Sequence, residues 1–286
     1  MLRPSVNRLS KHLQALVGER NPFTSPQRLH AAGQYILQRF REARLDTREQ
    51  EVRFEGAPYH NILGLKKGAA KADEIFVLGA HYDTVEGSPG ADDNAAAVAA
   101  LLEIARYLEP VPLNASLMFA GFTLEEHGFV GSNLFVEQLR QQNVPVRGMI
   151  ALEMLGFRNP QPGSQRYPPY VDASRYPDTG DFIAVVGNEP SQDLTLSLVK
   201  AMRQTVPRLP VEYLILPGRG DAFEEVRLSD HSPFWDNNHQ AVMITDTAFF
   251  RNPHYHAATD TLDTLDIGFV RDIASAVAGF LESHLS

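Results

Sequence analysis

No cysteine occurs among the 286 residues, which excludes disulfides, thiolate metal sites and a cysteine nucleophile together. Any strong metal site in this chain must be built from His, Asp and Glu. Positive charge is also scarce: 26 Lys and Arg against 35 Asp and Glu give a formal net charge of -9, and no basic run interleaved with aromatics is present to bind nucleic acid. The one tryptophan, Trp235, follows a loop and reads as packing rather than as a substrate platform. No apolar stretch reaches the roughly 18 to 20 residues of a membrane span, and the opening MLRPSVNRLSKHLQALVGER lacks the continuous apolar segment of a signal peptide. The expectation is a cytoplasmic chain with neither membrane nor nucleic acid as partner. Oligomeric state stays open.

What is present is apolar side chain for a sizeable core, 43% of the sequence, in a length that fits one large domain or two small ones. Leu9, Leu13, Leu16 and Val17 suggest a first helix. Ser25 and Pro26 supply a cap and a first-turn proline for a second, running to about Leu45. Short strand-like runs follow at Glu51 to Phe54 and Asn61 to Leu65, expected to pair antiparallel at a sheet edge, and then at Ile75 to Ala80. Further runs lie at Ser116 to Thr123, Gly148 to Leu152, Phe182 to Val186, Tyr213 to Leu216 and Ala241 to Thr245. Helical spacing appears in Val98 to Leu108, Ser132 to Arg140 and Ile267 to Leu281. This alternation predicts an α/β fold, a mixed and mostly parallel twisted sheet between helices. Two stretches rich in proline, glycine and polar residues, 157–180 and 217–230, are expected to be functional loops.

The chemistry-bearing residues gather where these strands end. His81 and Asp83 follow the Ile75 run two apart, the spacing at which extended residues point the same way. Asp92 and Asp93 precede a helix, Glu125 and Glu126 follow the fourth run, Glu153 ends the fifth, and His256 lies beyond the last. Taken singly, each has an ordinary reading: His-x-Asp as a surface pair, Asp92 and Asp93 as caps, adjacent glutamates as solvated charge. Together they sit at the strand ends where open α/β sheets bind ligands. Two imidazoles and several carboxylates, with no thiolate, suit a pair of zinc ions or similar divalent metals.

Six motifs in order, HYDT at His81, GADDN at Gly90, EEHG at Glu125, LEMLG at Leu152, SDHSPF at Ser229 and YHAATDT at Tyr255, resemble those of the co-catalytic dizinc aminopeptidases. That family also holds glutaminyl cyclases and transferrin-receptor-like ectodomains. The resemblance spans about residues 60 to 265 and implies one zinc exopeptidase domain over 1–286, of the phosphorylase/hydrolase-like fold, with 1–45 as a helical lead-in. It implies that Asp93 bridges two Zn2+ ions, that His81 and Glu153 complete one site, and that Glu126 and His256 complete the other. Glu125 would be the general base, and Asp83 would accept the ring proton of His81 and fix its tautomer. Asp92 would be a bystander or a cap, and a cis peptide after Asp93 is implied as well. Glu153 departs from the aspartate common at that position, which bears on metal spacing.

The activity implied is removal of the first residue from a peptide with a free amino terminus. Asp221, Asp230 and Glu153 are candidates to hold that amine. Other readings of the same scaffold are a carboxypeptidase or dipeptidase, a glutaminyl cyclase-like acyltransferase, and a non-catalytic binding domain. His127 and His254 are expected beside the site rather than on the metal, and His231 in a structural or substrate-positioning role.

Overall fold

The computed structural model describes residues 3–286. Its strands are β1 (Asp46–Phe54), β2 (Ala57–Lys66), β3 (Lys71–His81), β4 (Ala115–Phe122), β5 (Val146–Glu153), β6 (Ile183–Asn188), β7 (Val211–Leu216) and β8 (Ala241–Thr245). Its α-helices are α1 (Val6–Leu16), α2 (Pro26–Glu42), α3 (Ala97–Leu108), α4 (Val130–Gln141), α5 (Gln192–Thr205), α6 (Ser232–Asp236) and α7 (Ile267–Leu285). All eight strands join one sheet in the order β1-β2-β4-β3-β5-β8-β6-β7. The pairs β3/β4, β3/β5, β5/β8 and β6/β7 are parallel; β1/β2, β2/β4 and β6/β8 are antiparallel. The mixed, mostly parallel α/β architecture expected from the alternation is therefore present, with the antiparallel pair at one edge.

Strand periodicity divides the interior in two. Along β3, Phe76, Leu78 and Ala80 enter a core with the apolar faces of α1, α2, α3, α5 and α7. The alternate residues Ile75 and Val77 enter a second core with Phe135 and Val136 of α4 and Phe234 and Trp235 of α6. A strand buried on both sides in this way reads as a continuous apolar run. Trp235 is packed, its Nε1 donating to the Ala241 carbonyl at 2.8 Å.

Helices α5 and α6 go beyond those read from the sequence, although Leu194, Leu198, Val199 and Met202 form a buried stripe on α5 at helical spacing. The helix after GADDN follows Asp92 and Asp93, and the cis peptide implied after Asp93 is present. Regular α-helix begins at Ala97, behind a π-helical turn Ala91–Ala96 in which Asp93 and Asn94 have non-helical angles and are joined by a cis peptide.

Arg20 ties the lead-in to this turn. It is buried, and its guanidinium donates to the carbonyls of Tyr82, Leu16, Gly18, Pro89 and Gly90 at 2.7 to 3.1 Å. Gly90 itself has φ +62°, and a Cβ there would lie 2.5 Å from the Asp93 carbonyl oxygen, so only glycine fits the turn.

Candidate metal centre

The parallel strands β3, β4 and β5 deliver their carboxyl ends side by side, because His81 pairs in register with Phe122 and Gly79 with Ala151. His81 closes β3, Glu125 and Glu126 follow β4, and Glu153 closes β5. Non-glycine residues in the left-handed region turn the chain around the site: Leu124 (φ 59°) after β4, Met154 (φ 48°) after β5, and His256 itself (φ 57°). Such conformations persist where the surrounding structure over-determines them, and they cluster at functional sites.

Asp93 lies at the centre. Its Oδ1 is 3.2 Å from His81 Nε2, and its Oδ2 is 3.2 Å from His256 Nε2. Glu153 Oε2 stands 3.5 Å from His81 Nε2, and Glu126 Oε2 stands 3.1 Å from His256 Nε2. Three groups are compact enough to surround an ion: His81 with Asp93 and Glu153, His256 with Asp93 and Glu126, and His81 with Glu125 and Glu126; only the first two share Asp93. Glu125 Oε2 is 3.9 Å from His81 Nε2. The structure thus brings together His81, Asp93, Glu125, Glu126, Glu153 and His256.

Asp83 faces the ring of His81, its Oδ1 standing 3.6 Å from Nδ1, within ion-pair range but beyond hydrogen-bond reach. The Asp83 carboxylate accepts the backbone N–H groups of Glu125 at 3.1 Å and Glu126 at 3.2 Å. The chain reversal after β4 turns these two amides inward, and a charged acceptor beneath them is the stronger use of the carboxylate.

Asp92 is neither bystander nor cap. Buried beneath the site, it accepts from Gly156 N at 2.7 Å and Asn252 Nδ2 at 2.8 Å, joining the segments that carry Glu153 and His256. Asp260 accepts the amides of Asp92 and Asp93 at 2.9 and 3.1 Å. Ser229 donates to Glu153 Oε2 at 2.7 Å. The sequence reading assigned no role to Ser229 or Asp260, although both lie inside recognised motifs.

The remaining candidates separate cleanly. Asp221 is exposed and paired with Arg219 and Arg227, outside the cavity. Asp230 is buried, and neither carboxylate oxygen has a hydrogen-bond partner. His231 is buried, 2.8 Å from the Val226 carbonyl through Nε2 and edge-on to Trp235, a packing role. His254 Nδ1 meets Thr259 Oγ1 at 2.9 Å.

The electrostatics of the cluster suit a bound cation. Burial first, then neighbouring carboxylates, push Glu125 well above its ordinary range and Glu126 up to about 7. Burial would lower His81 and His256, but the acidic groups around them outweigh it, raising His81 well above its usual value and His256 to about 10. Asp93 is lowered despite burial, because both imidazoles face it. So many buried carboxylates around two imidazoles favour added positive charge at the cluster. Glu126 Oε1 is buried without a partner, and the donor set is all imidazole and carboxylate. These residues fit a divalent metal of the zinc type.

Beside the cluster opens a cavity of about 910 Å3, mouth included. Met154, Phe182, Ala184, Val186, Leu214 and Met243 line it from the strands and strand ends. Tyr167 and Tyr176 come from the 157–180 loop, and Val226 and Leu228 from the 217–230 loop. Phe249, Phe250 and Tyr255 add a third aromatic segment that the sequence reading did not single out. Tyr255 stacks on His256 with ring centroids 3.7 Å apart.

Known proteins align with this picture. Uncharacterized protein YfbL of Escherichia coli (strain K12) is 36% identical over 267 residues, 88% of this chain and 80% of YfbL. Aminopeptidase YwaD of Bacillus subtilis (strain 168) is 38% identical over 92 residues, covering 32% of this chain but only 20% of YwaD. Among solved structures, the LapA aminopeptidase of Legionella pneumophila superposes with TM-score 0.77 at 20% identity, over 99% of this chain and 72% of LapA. Glutaminyl cyclase of Porphyromonas gingivalis superposes with TM-score 0.74 at 20% identity, over 99% and 100% of the two chains. At such identities the superpositions speak for the fold alone. The profile of Peptidase family M28 matches residues 61–281, which takes in every residue of the acidic cluster, and by that match this chain belongs to peptidase family M28.

Proposed function

We propose that this metal-dependent peptidase is an aminopeptidase that holds two divalent ions, zinc being the best match to its donors, and removes the first residue of peptides with a free amino terminus. The observation that carries the reading is Asp93, one carboxylate whose two oxygens each face a different imidazole at 3.2 Å. His81 and Glu153 would hold one ion with Asp93, and His256 and Glu126 the other. Bound divalent ions supply Lewis acidity, polarising the scissile carbonyl and making water easier to deprotonate.

Glu125 then acts as general base. Its carboxylate is buried and raised in pKa, first by burial and then by Glu153 and Glu126, against the opposing pull of His81. A carboxylate placed beside the water that the metals would hold can take its proton and return it to the leaving nitrogen. Asp83, through the amides of Glu125 and Glu126, keeps one glutamate free for the proton and the other facing His256. The apolar cavity beside the cluster would receive the side chain of the first residue, and its lining favours a large apolar one. The LapA aminopeptidase shares this fold.

The test is a panel of peptides with free and acetylated amino termini, incubated with protein and added zinc and read by mass spectrometry. Stepwise loss of the first residue from free-amine peptides only is the expected result. Shortening from the carboxyl end, or cyclisation of a glutaminyl peptide without shortening, overturns the reading.

A further inference from the structure

Phe23 is the most exposed large apolar side chain among the described residues, at 57%, yet it stands on an anchored loop. Its neighbours Arg20 and Asn21 are buried; Asn21 Nδ2 donates to the Thr84 carbonyl at 3.1 Å, and Asn21 Oδ1 accepts Phe23 N–H at 2.9 Å. Tyr59 adds a bond from its hydroxyl to the Pro22 carbonyl. The ring is not solitary. Its centroid lies 6.1 Å from that of Phe54 and 5.4 Å from that of His127, and Phe54 lies 5.4 Å from His127. Three rings from the lead-in, the end of β1 and the turn after Glu126 thus form one partly exposed aromatic surface next to the acidic cluster.

Its position in the sheet gives it a direction. Beyond the acidic cluster at the ends of β3, β4 and β5, which forms its floor, the cavity is lined from β8, β6, β7 and the loops on that side of the sheet. Phe23, Phe54 and His127 line none of it, and Phe54 and His127 belong to the opposite side, with β1 and the end of β4. A peptide whose first side chain fills the cavity and whose first carbonyl lies at the cluster must send its second residue the other way. Extended chain advances about 3.3 Å per residue, which carries that second side chain toward the three rings.

We propose that Phe23, Phe54 and His127 form the subsite for the second residue of the substrate, and that it selects an apolar or aromatic side chain there. The inference rests on the aminopeptidase reading and assigns the leaving-group side of the same site. An aromatic ring laid against these three gains edge and face contacts beyond simple burial, whereas glycine gains none.

Two free-amine substrates with leucine first, one with phenylalanine amide and one with glycine amide second, test it through the ratio of their kcat/KM values. Wild type should prefer the aromatic second residue by about threefold to tenfold, the range of aromatic pair energies, and the preference should lie mainly in KM. Phe23→Ala should bring the ratio close to one, Phe23→Tyr should keep it, and Leu196→Ala, which removes another exposed apolar side chain on α5, should leave it at the wild-type value. A ratio equal in wild type and Phe23→Ala overturns the subsite while leaving the aminopeptidase reading intact. Failure of wild type to cleave either peptide overturns both. Sedimentation of the same proteins covers the competing occupant: a wild-type dimer that Phe23→Ala converts to monomer, with the ratio unmoved, would assign the surface to a second copy of this chain and sink the proposal.

Discussion

The carboxylate of Asp83 grips the backbone of Glu125, accepting its amide at 3.1 Å, and reaches the next amide with its other oxygen. Two adjacent glutamates can serve different ends only if the peptide between them is fixed. Asp83→Ala removes both acceptors and leaves two inward amides unpaired. Groups that orient metal-site residues typically matter by about 10-fold to 100-fold, and that loss is expected in kcat with zinc in excess, together with weaker metal retention on dialysis. Unchanged kcat and metal content would show that the grip is dispensable.

Glu125 lies in the cluster but outside both compact ligand sets that contain Asp93. Glu125→Gln keeps shape and volume while removing the proton acceptor. Metal content by mass spectrometry should match wild type, while kcat falls by about 10²-fold to 10⁴-fold, the usual range for a general base. Loss of metal along with activity would instead make Glu125 a ligand.

Away from the site, Glu103 has a fully buried side chain on α3, bound by Arg8 of α1 and Arg106 of its own helix. Burial alone would raise its pKa, but the hydrogen bonds and charges of His12, Arg106 and Arg8 win and hold it at about 2 against an ordinary 4.5. A depressed carboxyl stabilises the folded state fully above 4.5, and that contribution fades as pH falls from there toward 2. Because Arg8 is 35% exposed, solvent screening reduces the effect to about 2 kcal/mol at neutral pH. Glu103→Gln should therefore unfold at lower urea than wild type at pH 7, with the gap less than half as wide by about pH 3 and closing toward pH 2. A gap that stays constant across this window would contradict the account.

Ala184 is a small residue of β6 in the cavity wall, opposite larger side chains. Ala184→Phe should fill space that a large first residue needs while leaving room for a small one. Relative kcat/KM for a leucyl over an alanyl substrate is expected to drop about 10-fold or more, within the 1–3 kcal/mol that apolar pocket contacts usually command. An unaltered preference would place the first side chain elsewhere.

Much of this site is legible in the sequence. Metal chemistry restricts ligands to few residue types, so His81, Asp93, Glu126, Glu153 and His256 stood out at the ends of apolar runs, and the structure does gather them. The sheet was readable for a similar reason, since strands covered on both faces leave unbroken apolar runs. What was hidden depends on hydrogen bonds between distant segments, which leave no periodic trace. Asp83 reaches the amides after β4 as well as facing the His81 ring, Asp92 ties Gly156 to Asn252, and Ser229 meets Glu153 across the fold. Each depends on where a turn aims a backbone N–H, which residue type alone does not encode. The aromatic segment Phe249 to Tyr255 was passed over because it follows a strand in irregular chain, where spacing carries no signal.

The residues around Asp93 come from β3, from the turn after β4, from β5, and finally from His256, close to the start of α7. A chain emerging from the ribosome in order thus exposes its acidic side chains long before the last imidazole arrives. Until His256 is released, one half of the cluster has no histidine, and the cavity lacks the aromatic wall at Phe249 to Tyr255. The order of the elements along the chain therefore leaves the cluster incomplete until the segment carrying His256 has been added.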